Sequence, residues 1–74
     1  MVAVEAGMTV CLTGREVEVL WLIAQGRTYS QIGVELGMSV NTVGTHIKHA
    51  YRKLDVHSAA AAVMRAIQLN LIEA

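Results

Sequence analysis

Four hydroxyl residues punctuate this chain, and no proline interrupts the runs that follow them. Thr13, Thr28, Ser39 and Ser58 each stand directly ahead of a segment rich in helix-forming residues. A Ser or Thr at such a boundary accepts a hydrogen bond from one of the backbone N–H groups that a helix leaves unpaired at its start. Thr13 is followed three residues on by Glu16, and Thr28 by Gln31, which is the spacing of a reciprocal capping box. Gly26 and Gly37 are natural stops for the first two segments. The spacing predicts four helices, over residues 14–25, 29–36, 40–54 and 59–69. No segment alternates apolar and polar residues, so the helical period wins throughout and the fold class is all-α.

The third segment shows the clearest pattern. Val40, Val43, Ile47, Ala50, Tyr51 and Leu54 fall on one face at a period of about 3.6 residues. Asn41, Gly44, Thr45, Lys48 and Arg52 read along the opposite face, with Thr42 and His49 at its edge. Net charge over the 74 residues is zero, but it is unevenly placed. Residues 1–39 carry −2, residues 40–54 carry +3 with no acid, and residues 55–74 carry −1. The whole positive excess therefore lies on the third helix, beside His46 and His49.

A chain of this length makes one domain with one small core. Apolar residues make up 54% of it, which excludes a disordered tail. The longest apolar runs fall far short of the ~20 residues of a membrane span, and no basic-then-apolar signal segment opens the chain. A cytoplasmic location is the expectation. The single cysteine, Cys11, has no partner for a disulfide, and His46 with His49 lack the further ligands a metal needs. No cofactor is expected, and no nucleophile is paired with a base. These features favour a binding module over an enzyme.

A two-turn helix, a Gly-centred turn and a longer capped helix with a basic face make a helix-turn-helix. The major groove admits one α-helix, whose outer face must offer donors to base edges and phosphates. Asn41, Thr42, Thr45, Lys48 and Arg52 supply that chemistry as groove-facing candidates. Thr28, Ser39, His46, His49 and Lys53 are the candidates for the sugar-phosphate backbone.

Leu12-Thr13-Gly14-Arg15-Glu16, Val19-Leu20, Gly26, Ile32 with Leu36-Gly37, Ser39 followed by Thr42-Val43 and His46, and Arg52-Lys53-Leu54 together resemble the LuxR/GerE-type DNA-binding domain of bacterial regulators. The resemblance covers residues 12–72. It implies a four-helix domain over 12–74, with 1–11 as an N-terminal extension. It also implies a third helix that reads the major groove and a fourth that pairs two protomers on an inverted repeat. Either a stand-alone regulator or a domain of a larger one fits. Four positions depart from the family pattern. Gly14 replaces a usual Pro, Gly44 a frequent Lys or Arg, Asp55 a frequent Gly and Ala59 a frequent Arg. With fewer cations to neutralise phosphate, the monomer should bind DNA weakly.

Two further surfaces stand out. Val17 and Trp21 share one face of the first helix, at positions where the resemblance implies polar, outward residues. Either Val2, Val4, Met8 and Val10 of the N-terminal segment cover them, or they bind a partner such as RNA polymerase or a sigma factor. In the fourth helix, Ala60, Val63, Met64, Ile67 and Leu71 read as the core face. Ala59, Ala62 and Ala66 read as a small-residue strip for homodimer pairing. The expected function is a sequence-specific regulator of transcription that binds double-stranded DNA, with no role at a membrane. The alternative is a protein-interaction module of the transcription machinery that keeps the fold and has given up DNA. A detached sigma-factor-like promoter domain is a third reading.

Overall fold

A computed structural model describes residues 11–73. Four helices follow in order: α1 (Gly14–Ala24), α2 (Tyr29–Leu36), α3 (Val40–Leu54) and α4 (Ala59–Gln68). The described residues contain no strand. The expected N-terminal extension, and the cover that Val2, Val4, Met8 and Val10 were to provide, lie outside the described residues apart from Cys11.

All four start signals operate as capping chemistry dictates. The hydroxyl of each cap accepts from the backbone N–H three residues on, at 3.1 Å in every case. Glu16 and Gln31 return the contact to the N–H of Thr13 and Thr28, at 2.9 and 2.8 Å. The helix ends share one device as well. Arg27, Met38, Val56 and Leu71 each donate a backbone N–H to the carbonyl five residues earlier. Each such closure needs a left-handed residue just before the donor. Gly26 and Gly37 provide it for α1 and α2, and Asp55 (φ 58°) and Asn70 (φ 60°) provide it for α3 and α4. Asp and Asn are the two side chains that best tolerate that conformation. Asp55 therefore holds a backbone geometry better suited to glycine.

The core gathers Val19, Leu20 and Leu22 of α1, Ile32 of α2, Val43, Ile47, Ala50 and Leu54 of α3, Ala62 and Ala66 of α4, and Ile72 of the tail. α3 packs against all three other helices. Of its expected core face, Val43, Ile47, Ala50 and Leu54 are buried, Tyr51 is half-buried, and Val40, in the first turn, is exposed.

The reading of α4 is corrected by this packing. Ala62 and Ala66 have no exposed surface, so they cannot form a strip for a second protomer. They face inward because α4 lies against both α1 and α3, and a methyl-sized side chain permits the close helix approach that a long one would block. Met64, assigned to the core, is 59% exposed, and Ala60 is exposed beside it. Val63, Ile67 and Leu71 of the expected core face are half-buried and pack against the core, so only Ala60 and Met64 turn outward, with Ala59 half-buried at the border.

No helix among the described residues is long and apolar enough to cross a membrane.

Candidate nucleic-acid interface

The turn between α2 and α3 sets the pose of the third helix, and Gly33 makes that turn possible. The chain folds back so far that a Cβ on Gly33 would lie 2.6 Å from the Met38 carbonyl oxygen. Met38 in turn donates its N–H to the Gly33 carbonyl at 2.9 Å. No side chain fits between backbones held this close. Sequence reasoning passed over Gly33. The available signal was a second glycine, four residues before Gly37, inside a helix too short to carry one without cause.

Opposite its buried stripe, α3 exposes Asn41, Thr42, Thr45, Lys48, His49 and Arg52. Thr45 and Arg52 lie about 180° around the helix from the centre of that stripe. The Thr45 hydroxyl donates to the Asn41 carbonyl at 3.0 Å, so its proton is committed to the helix and its methyl remains for an apolar contact. Ser39 and Thr42 bind each other through their hydroxyls, also at 3.0 Å, and close the amino end of α3. Thr28 is exposed at the amino end of α2. Its oxygen accepts from Gln31 and its proton is left for another acceptor. His46 is half-buried on the α1 side, away from the centre of the exposed face.

Three of the six cations are held in ion pairs: Arg15 with Glu18, Arg27 with Glu35, and Lys53 with Glu16. Lys48 and Arg52 enter no ion pair among the described residues.

Lys53 is the exception within α3. It was expected at the DNA backbone, but its ammonium lies 2.8 Å from the Glu16 carboxylate, which is only 3% exposed. Burial by itself raises the Glu16 pKa. The hydrogen bond from Lys53, the Thr13 N–H and the charges of Lys53 and His49 outweigh that and leave it lowered. Lys53 thus ties α3 to α1, an engagement that helical spacing did not indicate. The reason is positional, since Lys53 projects toward the α1 flank of the helix.

The other flank is aromatic. Tyr29 of α2 lies beside Gly44, with Cε2 at 4.0 Å from where a Cβ would stand. Tyr51, half-buried nearby, has its pKa raised by burial and then by the neighbouring Tyr29.

Val17 and Trp21 border a groove away from α3. It has a volume of about 540 Å³ and is walled by α1, the end of α2, and Leu71 and Ile72 of the tail. Trp21 is 45% exposed.

Comparison with known proteins agrees with this geometry. Residues 10–66 match the family model GerE, bacterial regulatory proteins of the luxR family. The chain is similar to the transcriptional activator protein CarR of Pectobacterium carotovorum, with 47% identity over 81% of this chain and 25% of that one. It is 44% identical to the transcriptional regulatory protein LiaR of Bacillus subtilis, over 82% of this chain and 29% of LiaR. The chain therefore spans between a quarter and a third of the length of these relatives, which are named as regulators and not as enzymes. Among solved structures, the response regulator ChrA superposes with a TM-score of 0.81 at 40% identity, over 84% of this chain and 31% of ChrA. The transcription factor GerE gives 0.78 at 32% identity, over 81% of this chain and 90% of that one. In fold, in the geometry of its helix-turn-helix and in sequence, this chain belongs to the LuxR family of bacterial regulatory proteins.

Proposed function

We propose that this chain binds double-stranded DNA by placing α3 in the major groove, and thereby regulates transcription. The observation that carries the reading is the outer face of α3. On it two unpaired cations, an amide and a threonine methyl stand together, and the three other helices hold that face in place. Lys48 and Arg52 suit guanine or phosphate, Asn41 suits adenine, and the Thr45 methyl suits thymine. Thr28, Ser39 and Thr42, at the amino ends of α2 and α3, suit phosphate. His49, and His46 at the edge, adjoin the same surface.

The chain works as a homodimer on an inverted repeat in this reading, through the corrected face of α4. Met64 and Ala60 are exposed there, flanked by half-buried Val63 and Ile67. Two-fold pairing would then match half-sites about one helical turn apart. Met64→Glu should abolish pairing. A mass that stays monomeric at every concentration, with DNA present, refutes the dimer.

The experiment for DNA binding is selection of random duplexes by the purified protein at low salt, with Lys48→Ala in parallel. A recovered two-fold motif is the expected result. Lys48→Ala should weaken binding and lower the salt slope by about one. Unchanged affinity and slope would remove the centre of the reading.

One observation favours a second reading, a module that binds RNA polymerase or a sigma factor. The groove beside Val17 and Trp21 shares no residue with α3. Failure of wild type and variant alike to enrich any duplex would favour it. Trp21→Lys should then abolish partner binding and leave the half-exposed helix folded.

A further inference from the structure

Gly44 removes a side chain from the α2 flank of α3, and that flank is not empty. The Tyr29 ring stands beside it, with Cε2 4.0 Å from where a Gly44 Cβ would be. Gly44 and Tyr51 are seven residues apart, two turns along the helix, so they share this flank. Lys48 follows Gly44 by one turn and borders the same side. Tyr29 is 39% exposed, so its side chain is partly covered and partly open to solvent. Thr28, its neighbour in the chain, is also exposed.

We propose that Tyr29 is itself a DNA-contacting residue, its phenolic O–H donating to a backbone phosphate at the edge of the groove that α3 enters. The proposal rests on the reading of α3 given above and adds a contact from outside the recognition helix. Two features support it. A side chain already partly covered has less rotamer freedom to lose when its hydroxyl meets an acceptor. The position is lateral to Thr45 and Arg52, where the phosphates that line a groove run and base edges do not.

A neutral donor makes a distinctive prediction. Tyr29→Phe should weaken binding about tenfold, since a hydrogen bond to a charged acceptor is lost. The loss should be equal on the selected duplex and on a random one. The salt slope should stay unchanged, because no cation has been removed. Tyr51→Phe, which alters the same phenol pair from its inner side, should retain affinity.

The experiment measures affinity for both duplexes across a salt series, for wild type, Tyr29→Phe and Tyr51→Phe, with melting temperatures alongside. Unchanged affinity in Tyr29→Phe overturns the proposal. So does an equal loss in Tyr51→Phe, which would make the pair structural. A loss confined to the selected duplex also overturns it, by making Tyr29 a base reader. A wild type that binds neither duplex overturns the reading of α3, and this proposal with it. A wild type that binds while Tyr29→Phe is indifferent overturns this proposal alone.

Discussion

The two flanks of α3 are closed by opposite means. On the α1 side a nearly buried carboxylate, Glu16, grips Lys53 across 37 residues of sequence. On the α2 side there is no ion pair to α3. Gly33 admits the Met38 carbonyl, while the Tyr29 ring stands beside Gly44 with room to spare for a methyl. One flank is secured by charge and the other by the absence of a side chain at Gly33. Directional pairing holds a helix at one point, whereas close backbone approach fixes its whole angle. The flank that sets the pose of the reading face is thus the one with no strong bond.

Gly33→Ala is the most damaging way to break this contrast. The new Cβ meets backbone, which cannot swing away, so the turn must open. A loss of about 2–3 kcal/mol in denaturant unfolding is expected, with loss of DNA binding. A stability within 0.5 kcal/mol of wild type, roughly the scatter of surface substitutions, would show that the turn yields easily.

Lys53→Ala tests the charged flank. It leaves Glu16 with the Thr13 N–H but without its counter-ion, and about 1–2 kcal/mol should be lost. Solvent around the half-exposed ammonium keeps the figure below that of a fully buried pair. The salt slope of DNA binding should not change. A lower slope would return Lys53 to the phosphate contacts.

Acid probes the same tie. The folded-state pKa of Glu16 lies below its ordinary value of 4.5. The tie therefore contributes stability above about pH 4.5 and loses it as pH falls through the folded value. Glu16→Gln should be less stable than wild type at neutral pH, with the gap narrowing as the solution is acidified below that point. Parallel melting curves from pH 3 to 7 check this.

Two substitutions should raise stability, each by about 0.5–1 kcal/mol. Asp55→Gly relieves the left-handed backbone and removes a negative charge from the carboxyl end of α3. Gly44→Ala gains helix propensity at a position with room for a methyl. A destabilising Gly44→Ala would mean that the Tyr29 ring needs the gap.

Local signals made most of the fold legible. The four caps, the stops at Gly26 and Gly37, and the buried stripe of α3 depend on neighbours within a turn or two of the chain. Asp55 was noted only as a missing glycine, and Asn70 passed unnoticed. The stop lies in a backbone angle, and either side chain adopts other angles equally well. Among site residues, Asn41, Thr42, Thr45, Lys48 and Arg52 lie on the exposed face that their helical spacing indicates, and their contact with DNA is a proposal. The tie of Lys53 to Glu16 was missed because the two lie 37 residues apart, and no period reports such a distance. The alanines of α4 were misplaced for a related reason. Hydrophobicity ranks Met64 above Ala62 as a core residue, while the distance between helices decides which of them fits.

By itself the sequence determined four capped helices, a class without strands, and a basic face on the third helix. Those properties follow from hydrogen bonds and periods that act within each segment. Tertiary structure alone decided which face of α4 turns inward, that Lys53 serves Glu16, that Gly33 must lack a side chain, and that Tyr29 stands beside the reading face. Each of these depends on how closely two segments distant in the chain approach one another. That separation is set by packing the whole core at once.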